Sequence, residues 1–336
     1  MGYDTLSQIS YESLICYTDN FSEGNYLGHF QFGEYYHGKI VRSGGIQHVV
    51  VKIWEVPDKY QYLPGENEAR LFDELTLLGH HTITSHPGMI TLCEYCFDGE
   101  HLGIVYELKA LDSLYNLIPE DGFTWLQRIK VALRFASLLK FLHSGNPNSY
   151  IVRNLDAAHI MLEEDYNPKL CDFGMITGGI FPDRTKIKEE LNGCWGYVDG
   201  YGAIRGKWSR GRDVFAFGTI LLSLISKKVY TEEDRLSDTP NVNDWALEEY
   251  YSNLELCSLV HESLSAESDF DPLDGRRITA LGIQCLHDPG DSRPTMKQVV
   301  KRLLRLKVVK RNADFLGVNI MHSSRENDRR SRYTIM

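Results

Sequence analysis

The stretch IVRNLDAAHIMLEEDYNPKLCDFG, residues 151–174, carries the decisive reading. Three short apolar runs, Ile151–Leu155, Ile160–Glu163 and Lys169–Cys171, alternate with turn residues, the texture of brief strands set among loops. Between them stand Arg153, Asn154, Asp156 and His159, and the stretch closes on Asp172-Phe173-Gly174.

Upstream of this stretch the chain changes texture. Residues 1–20 hold a short mixed segment, expected as a helix leading into the first strand. From Tyr26 to Val56 the pattern is β. LGHFQFGEYYHGKIV (27–41) alternates aromatic and polar residues around glycines, Ser43-Gly44-Gly45 reads as a hairpin turn, and HVVVKIWEV (48–56) is rich in β-branched residues. Pro57 to Gly65 breaks the pattern. Glu66–Leu78 then places Ala69, Leu71, Phe72, Leu75 and Leu78 at helical spacing. Strands follow near Ile90–Phe97 and Leu102–Leu108, giving β-β-β-α-β-β. After Asp112 helices dominate: Trp125–His143, Arg212–Ser226, Trp245–Ser252, Asp274–Leu286 and Thr295–Leu306. The polar tail from Asn312 reads as disordered, without a packed role.

Composition limits the function classes. The 336 residues allow two or three packed units, and 43% hydrophobic with 24% charged residues excludes a disordered chain, collagen or a coiled coil. The 46 acidic residues against 36 basic ones leave a net charge of −10, which argues against sequence-independent nucleic-acid binding. The longest apolar run, Val214–Ser226, falls short of the ~20 residues of a spanning helix and reads as a core helix. No secretory signal opens the sequence, and seven scattered cysteines suit reduced thiols in the cytosol. Met1-Gly2 invites acylation, and with it a peripheral place at the plasma membrane, but Leu6 stands where the myristoylation motif wants Ser or Thr. Cys93 and Cys96 lack a second ligand pair and read as small apolar residues on a strand. His80, His81 and His86 read as a solvated loop.

Further motifs accompany Asp172-Phe173-Gly174. Gly28-His29-Phe30-Gln31-Phe32-Gly33 is a glycine-bounded loop, VVVK ends in Lys52 on an expected strand, and Glu74 lies in the helix that follows. IVYE (104–107), Asp213-Val214 through Phe217-Gly218, and Asp291-Ser292-Arg293-Pro294 complete the series. In this order, with a small β-rich lobe before a larger helical one, the motifs resemble a protein kinase. The resemblance implies an α+β, bilobal protein kinase-like fold: an N-terminal extension (1–19), an N-lobe (20–108), a C-lobe (109–310) and a disordered tail (311–336). It also implies ATP and magnesium as cofactors. Gly28, Gly33, Lys52, Glu74, Glu107 and Met161 would contact nucleotide, and Asp172 would hold metal, with His159 in the place of the second metal ligand.

The departures are concentrated in the opening stretch. Against the kinase pattern H-R-D-x-K-x-x-N, Asn154 takes the place of the catalytic aspartate, Asp156 that of the lysine, and His159 that of the last asparagine. Asparagine is no general base, a loss of ~10²–10⁴ in rate by itself. Asp156 inverts the charge that steadies a transferring phosphoryl group. Phe30 replaces the second loop glycine, Tyr35 the valine that caps adenine and Val50 a small alanine, so the pocket is crowded and ATP with magnesium is expected to bind weakly or not at all. Lys52, Glu74 and Asp172 are open to two readings, residual nucleotide binding or a buried ion-pair network, and the crowding favours the second.

The segment Asp172–Tyr201 ends on Cys194-Trp195-Gly196-Tyr197-Val198-Asp199-Gly200-Tyr201, similar to the plant kinase pattern G-T-x-G-Y-x-D-P-E. Tyr201 stands where that pattern has the glutamate expected to pair with Arg293, so Arg293 needs another partner or solvent, and the segment is expected to be loosely held. Tyr106, before the hinge, and the run Cys93-Glu94-Tyr95-Cys96 resemble plant receptor-like cytoplasmic kinases. Within them the chain resembles the immune pseudokinases related to HopZ-effector-triggered-immunity-deficient proteins. That resemblance implies a cytoplasmic adaptor whose partners are a coiled-coil NLR receptor and receptor-like cytoplasmic kinases. The alternatives are an active Ser/Thr kinase of the wall-associated type and an ATP-binding switch without transfer.

Overall fold

In the computed structural model, the residues described are 6–54, 65–144, 149–181, 194, 196–199, 208–231, 241–252 and 258–318. The N-terminal half builds a six-stranded sheet in the order β1-β5-β6-β4-β3-β2. Its strands are β1 (Ser7–Ile9), β2 (Tyr26–Phe30), β3 (Gly33–Arg42), β4 (Gly45–Trp54), β5 (Thr91–Asp98) and β6 (His101–Glu107). Neighbours pair antiparallel except β1, which runs parallel to β5 with Ser7 opposite Glu94.

Strand β4 explains its own sequence. Val49, Val51 and Ile53 face one apolar cluster, while Val50 and Trp54 face another. A strand covered on both faces reads as a continuous apolar run instead of an alternation. Helix α2 (Glu66–Leu78) covers the inner face. The outer face is covered by α1 (Tyr11–Tyr17), whose Leu14 is fully buried with Tyr36, Ile40, Val49 and Val105. Gly103 makes this approach possible, because a Cβ there would stand 2.5 Å from Leu14 Cδ1. Tyr17 donates its hydroxyl to Glu94 at 3.0 Å, and Arg42 pairs with the same carboxylate at 3.0 Å. The segment before residue 20 is therefore an integral wall of the N-lobe. It contains a strand that the sequence reading did not anticipate.

The second half is helical. Its small strands β7 (Ala110–Ser113), β9 (Ile160–Glu163) and β10 (Pro168–Leu170) form one sheet, and β8 (Tyr150–Ile151) pairs with β11 (Thr177–Gly178). After α3 (His81–Thr84) and α4 (Leu114–Leu117), the long helix α5 (Trp125–His143) starts on a capping box, with Thr124 and Gln127 satisfying each other's backbone N–H groups. Helix α6 (Arg210–Ser226) contains the Val214–Ser226 run and is buried along nearly its whole length. It packs between α5 and α9 (Pro272–Leu286). Helices α7 (Val242–Ser252), α8 (Glu262–Ser265), α10 (Met296–Leu303) and α11 (Lys307–Arg311) complete the lobe. Among the described residues no helix is long and apolar enough to cross a membrane.

Two expectations need correction here. The chain does not leave the body at Asn312: Leu316 is fully buried, and Lys130 sits over the Phe315 ring at 5.1 Å. Apolar side chains at 315, 316 and 318 find the back of α5, which a count of polar residues overlooks; residues 319–336 lie outside the described residues. The histidine cluster is also not simply a solvated loop. His81 opens α3, and His86 is half-buried, stacked on Phe141 at 4.8 Å.

Candidate functional site

The site lies where the sheet meets the helical lobe. Lys52, carried by β4, reaches Glu74 Oε2 on α2 at 2.8 Å and Asp172 Oδ1 at 2.9 Å. All three side chains are at most 2% exposed. Burial pulls the Lys52 pKa down, but the two carboxylates outweigh it and leave it above its ordinary value. Burial raises Asp172 too, yet Lys52 and its hydrogen bonds bring it down to about 2. Burial holds Glu74 above its usual range against the pull of Lys52. The Tyr106 hydroxyl donates to Glu74 Oε1. Asp172 is thus the firmly ionised member of the pair of carboxylates.

Aromatic rings surround this hub. Lys52 Nζ lies 4.7 Å from the Phe30 ring centre and 4.4 Å from that of Trp54. Tyr35, opposite Lys52 in the β3–β4 ladder, donates to the Cys171 carbonyl at 3.0 Å. Phe30 and Tyr35 both turn toward His159, with ring centres 6.2 and 6.5 Å away. Phe32 is buried under Arg70, whose guanidinium lies 3.8 Å from the ring centre. The loop Gly28–Gly33 therefore folds its aromatic side chains into the cleft beneath it. Gly28 takes φ +138, a conformation costly for other residues.

The loop from Val152 to His159 is held from below by Asp213 of α6. Its carboxylate accepts the N–H groups of Val152 at 2.9 Å and Arg153 at 3.0 Å, and its Oδ2 lies 2.9 Å from His143 Nε2. Arg153 adopts φ +72. Asn154 is 1% exposed and donates through Nδ2 to Asp172 Oδ2 at 2.6 Å. Asp172 Oδ1 also accepts the Gly174 N–H at 3.2 Å. Both Asp172 oxygens are therefore engaged by the protein itself. His159 is fully buried, with Nδ1 2.8 Å from the Asn154 carbonyl and 3.4 Å from Asp172 Oδ2. Asp156 caps the short turn Ala157–His159 by accepting the Ala158 N–H at 2.9 Å. An N-cap wants a short acceptor side chain, which is a local reason for aspartate where lysine was expected.

Of the residues singled out in the sequence, the fold gathers Lys52, Glu74, Asn154, His159 and Asp172. Gly28 and Gly33 stand above them as backbone. The Glu107 side chain is exposed at the end of β6, away from the ion pairs, and Met161 is fully buried on β9. The sequence reading noted Tyr106, Cys194 and Asp199 within motifs but gave none of them a role at the site. Cys194 lies against the loop, with Sγ 3.3 Å from Asn154 Oδ1 and 3.8 Å from His159 Nε2. Asp199 answers the question of Arg293. Its Oδ2 lies 2.7 Å from Arg293, which also donates to the carbonyls of His287 at 2.7 Å and Gly211 at 2.9 Å. Of the two openings left to Arg293, another partner or solvent, the fold supplies the partner: a carboxylate two positions before Tyr201. Loose tethering of the whole segment was expected; its residues 182–193, 195, 200 and 201 lie outside the described residues. Its described flanks are packed: Ile176, Cys194 and Tyr197 are buried and Thr177 pairs with Ile151.

This order of elements, with the β4 lysine joined to the α2 glutamate and the Asp172-Phe173-Gly174 turn, agrees with comparison to known sequences. The family described as "Protein tyrosine and serine/threonine kinase" matches residues 21–303. The chain belongs to the protein kinase family. This kinase-family chain is 32% identical over 312 residues to "Probable serine/threonine-protein kinase PBL17" of Arabidopsis thaliana, covering 91% of this chain and 68% of that protein. It is 34% identical over 238 residues to "Serine/threonine-protein kinase BIK1" of the same plant, covering 69% of this chain and 59% of that protein. An "EPD1-interacting receptor-like cytoplasmic serine/threonine-protein kinase" of Nicotiana benthamiana is 31% identical over 301 residues, covering 88% of this chain and 62% of that protein. The chain thus spans less than two thirds of the length of the last two.

Proposed function

We propose that this kinase-family chain is a pseudokinase: a cytoplasmic adaptor that keeps the kinase fold and has lost phosphoryl transfer. The observation that carries this reading is the closure of Asp172. Its Oδ1 is taken by Lys52 and the Gly174 N–H, and its Oδ2 by Asn154 at 2.6 Å. Phe30 and Tyr35 lie over the same cleft. As arranged, these residues do not fit a magnesium nucleotide: the metal-binding carboxylate has its acceptors occupied and aromatic rings fill the phosphate side. Asn154 offers no carboxylate to take a hydroxyl proton, and Asp156 is anionic where positive charge would steady the phosphoryl group.

The relatives support kinship with plant receptor-like cytoplasmic kinases, and the resemblance of the degenerate catalytic loop to immune pseudokinases extends the proposal to plant immune signalling. In this reading the chain links a coiled-coil NLR receptor to effector-modified receptor-like cytoplasmic kinases. A second reading, a weakly active Ser/Thr kinase, draws on the intact Lys52–Glu74 pair at 2.8 Å and on relatives named as kinases.

Thermal unfolding with ATP and magnesium separates the two, since a ligand stabilises only the state it binds. No shift is expected for the natural chain, and a shift is expected once Phe30→Gly and Tyr35→Val open the cleft. A shift in the natural chain, together with phosphate incorporation that disappears in Lys52→Ala, would overturn the proposal in favour of the second reading.

A further inference from the structure

We propose that Asp156, His159 and Cys194 form a binding site for a divalent transition-metal ion of the zinc class, which ties the activation segment to the catalytic loop. A carboxylate oxygen of Asp156, a ring nitrogen of His159 and the sulfur of Cys194 lie within 4.8 Å of one another. His159 Nε2 and Cys194 Sγ are 3.8 Å apart. Tetrahedral zinc bonds of about 2.0–2.1 Å to nitrogen and 2.3 Å to sulfur bring such a pair to roughly 3.5 Å, so contraction on the order of a few tenths of an ångström completes that edge.

The imidazole is already in the form that a metal requires. Nδ1 lies 2.8 Å from the Asn154 carbonyl, which can only accept, so Nδ1 carries the proton and Nε2 presents its lone pair toward Cys194. A ring N–H fixed on a backbone carbonyl is the usual outer support of a metal-binding histidine. Asp156 has its own support, since the Ala158 N–H that it caps orients the carboxylate.

Without a cation, Cys194 is a neutral thiol that donates to Asn154 Oδ1 at 3.3 Å. Burial and the Asp156 carboxylate push the Cys194 thiol well above its ordinary pKa. Burial and the same carboxylate also hold the Tyr197 hydroxyl well above its ordinary pKa. When a divalent ion binds, Cys194 loses its S–H proton to solvent as the sulfur–metal bond forms, and the ion attracts the Asp156 carboxylate. Three protein donors leave a fourth position for water, and Asn154 Oδ1, now 3.3 Å from the thiol sulfur, is placed to accept from that water. Asp156 is only partly buried, which leaves the ion a route from solvent. A thiolate and an imidazole select zinc-like ions over magnesium. The site lies on the opposite ring nitrogen of His159 from Asp172 and does not depend on whether nucleotide binds.

The test uses the full chain in metal-free buffer with cobalt(II) as the probe. One equivalent is expected to give a thiolate-to-cobalt charge-transfer band, which zinc then abolishes by displacement. Cys194→Ser is expected to lose the band and to bind zinc at least ~10-fold more weakly. Asp156→Asn should keep the band with weakened binding, and Cys96→Ser, in the outer sheet core, should leave both unchanged. Metal-free unfolding curves check that each variant folds. A second measurement needs no variant: zinc should release about one proton per ion from the natural chain as the Cys194 thiolate forms, read by titration in weak buffer. The proposal falls if the natural chain shows no stoichiometric band, if the band survives in Cys194→Ser, or if zinc binds without releasing a proton.

Discussion

Asn154 donates its side-chain amide to Asp172 Oδ2 at 2.6 Å, so the residue in the place of the catalytic base ties down the residue in the place of the metal ligand. An aspartate at 154 could not do this while ionised. Asn154→Asp would set a second carboxylate against Asp172 in a buried site. It is expected to destabilise the fold by about 2–4 kcal/mol at neutral pH, less in mild acid where one carboxyl keeps a proton. Urea unfolding at two pH values measures this. The same variant is expected to show no phosphate transfer, because Asp156 and His159 remain. Robust transfer would refute this account of the loop.

Lys52 is the only cation bonded to both Glu74 and Asp172 among the described contacts. Lys52→Met leaves buried carboxylates uncompensated and should cost about 3–5 kcal/mol. Adding Asp172→Asn should recover part of that loss, since the two side chains act as one unit. A double-mutant cycle by chemical denaturation checks the coupling; strictly additive losses would show that the ion pair is not the hub described.

Gly103 admits Leu14 to the outer face of the sheet, and a Cβ would stand 2.5 Å from its Cδ1. Gly103→Ala should destabilise by ~1–3 kcal/mol through overpacking. Leu14→Ala should itself be destabilising, and in that background the glycine substitution should cost much less. Equal costs in both backgrounds would mean that α1 does not rest on β6.

His86 links stability to pH. Its Nδ1 accepts the Gly88 N–H at 3.0 Å, a bond that only the neutral ring can make through that nitrogen. Burial, reinforced by Lys140, Lys169 and Arg134, lowers its pKa to about 4. The folded state therefore prefers the neutral ring. This contribution is fully present above the unfolded value near 6.5 and is lost as pH falls from there through about 4. Up to ~3 kcal/mol is at stake. Thermal midpoints of the natural chain and of His86→Gln from pH 7 to 4 should converge toward the acid end; parallel curves would exclude His86 as the source.

The long amphipathic elements were legible in the sequence. Glu66–Leu78 and Trp125–His143 have the expected bounds, because their apolar spacing repeats over several turns and α5 begins on a Thr124–Gln127 box. Strand β1 was not, since three half-exposed or exposed residues at a sheet edge carry no hydrophobic period. In the site, Lys52, Glu74 and Asp172 were readable from motif order. Cys194 and Asp199 were not, because both reach partners some 35 or more positions away, and nothing local in the sequence encodes that contact.

The sequence by itself determined the kinase-family fold and the replacement of the catalytic aspartate, lysine and asparagine by Asn154, Asp156 and His159. Residue identity decides whether a carboxylate or a positive charge exists at all. The tertiary structure decided where the replacements point: Asn154 onto Asp172, Asp156 onto its own turn and His159 toward Cys194. It also decided that Asp199 serves Arg293. These are short-range hydrogen bonds and ion pairs, effective over a few ångströms, between groups that only the folded chain brings together.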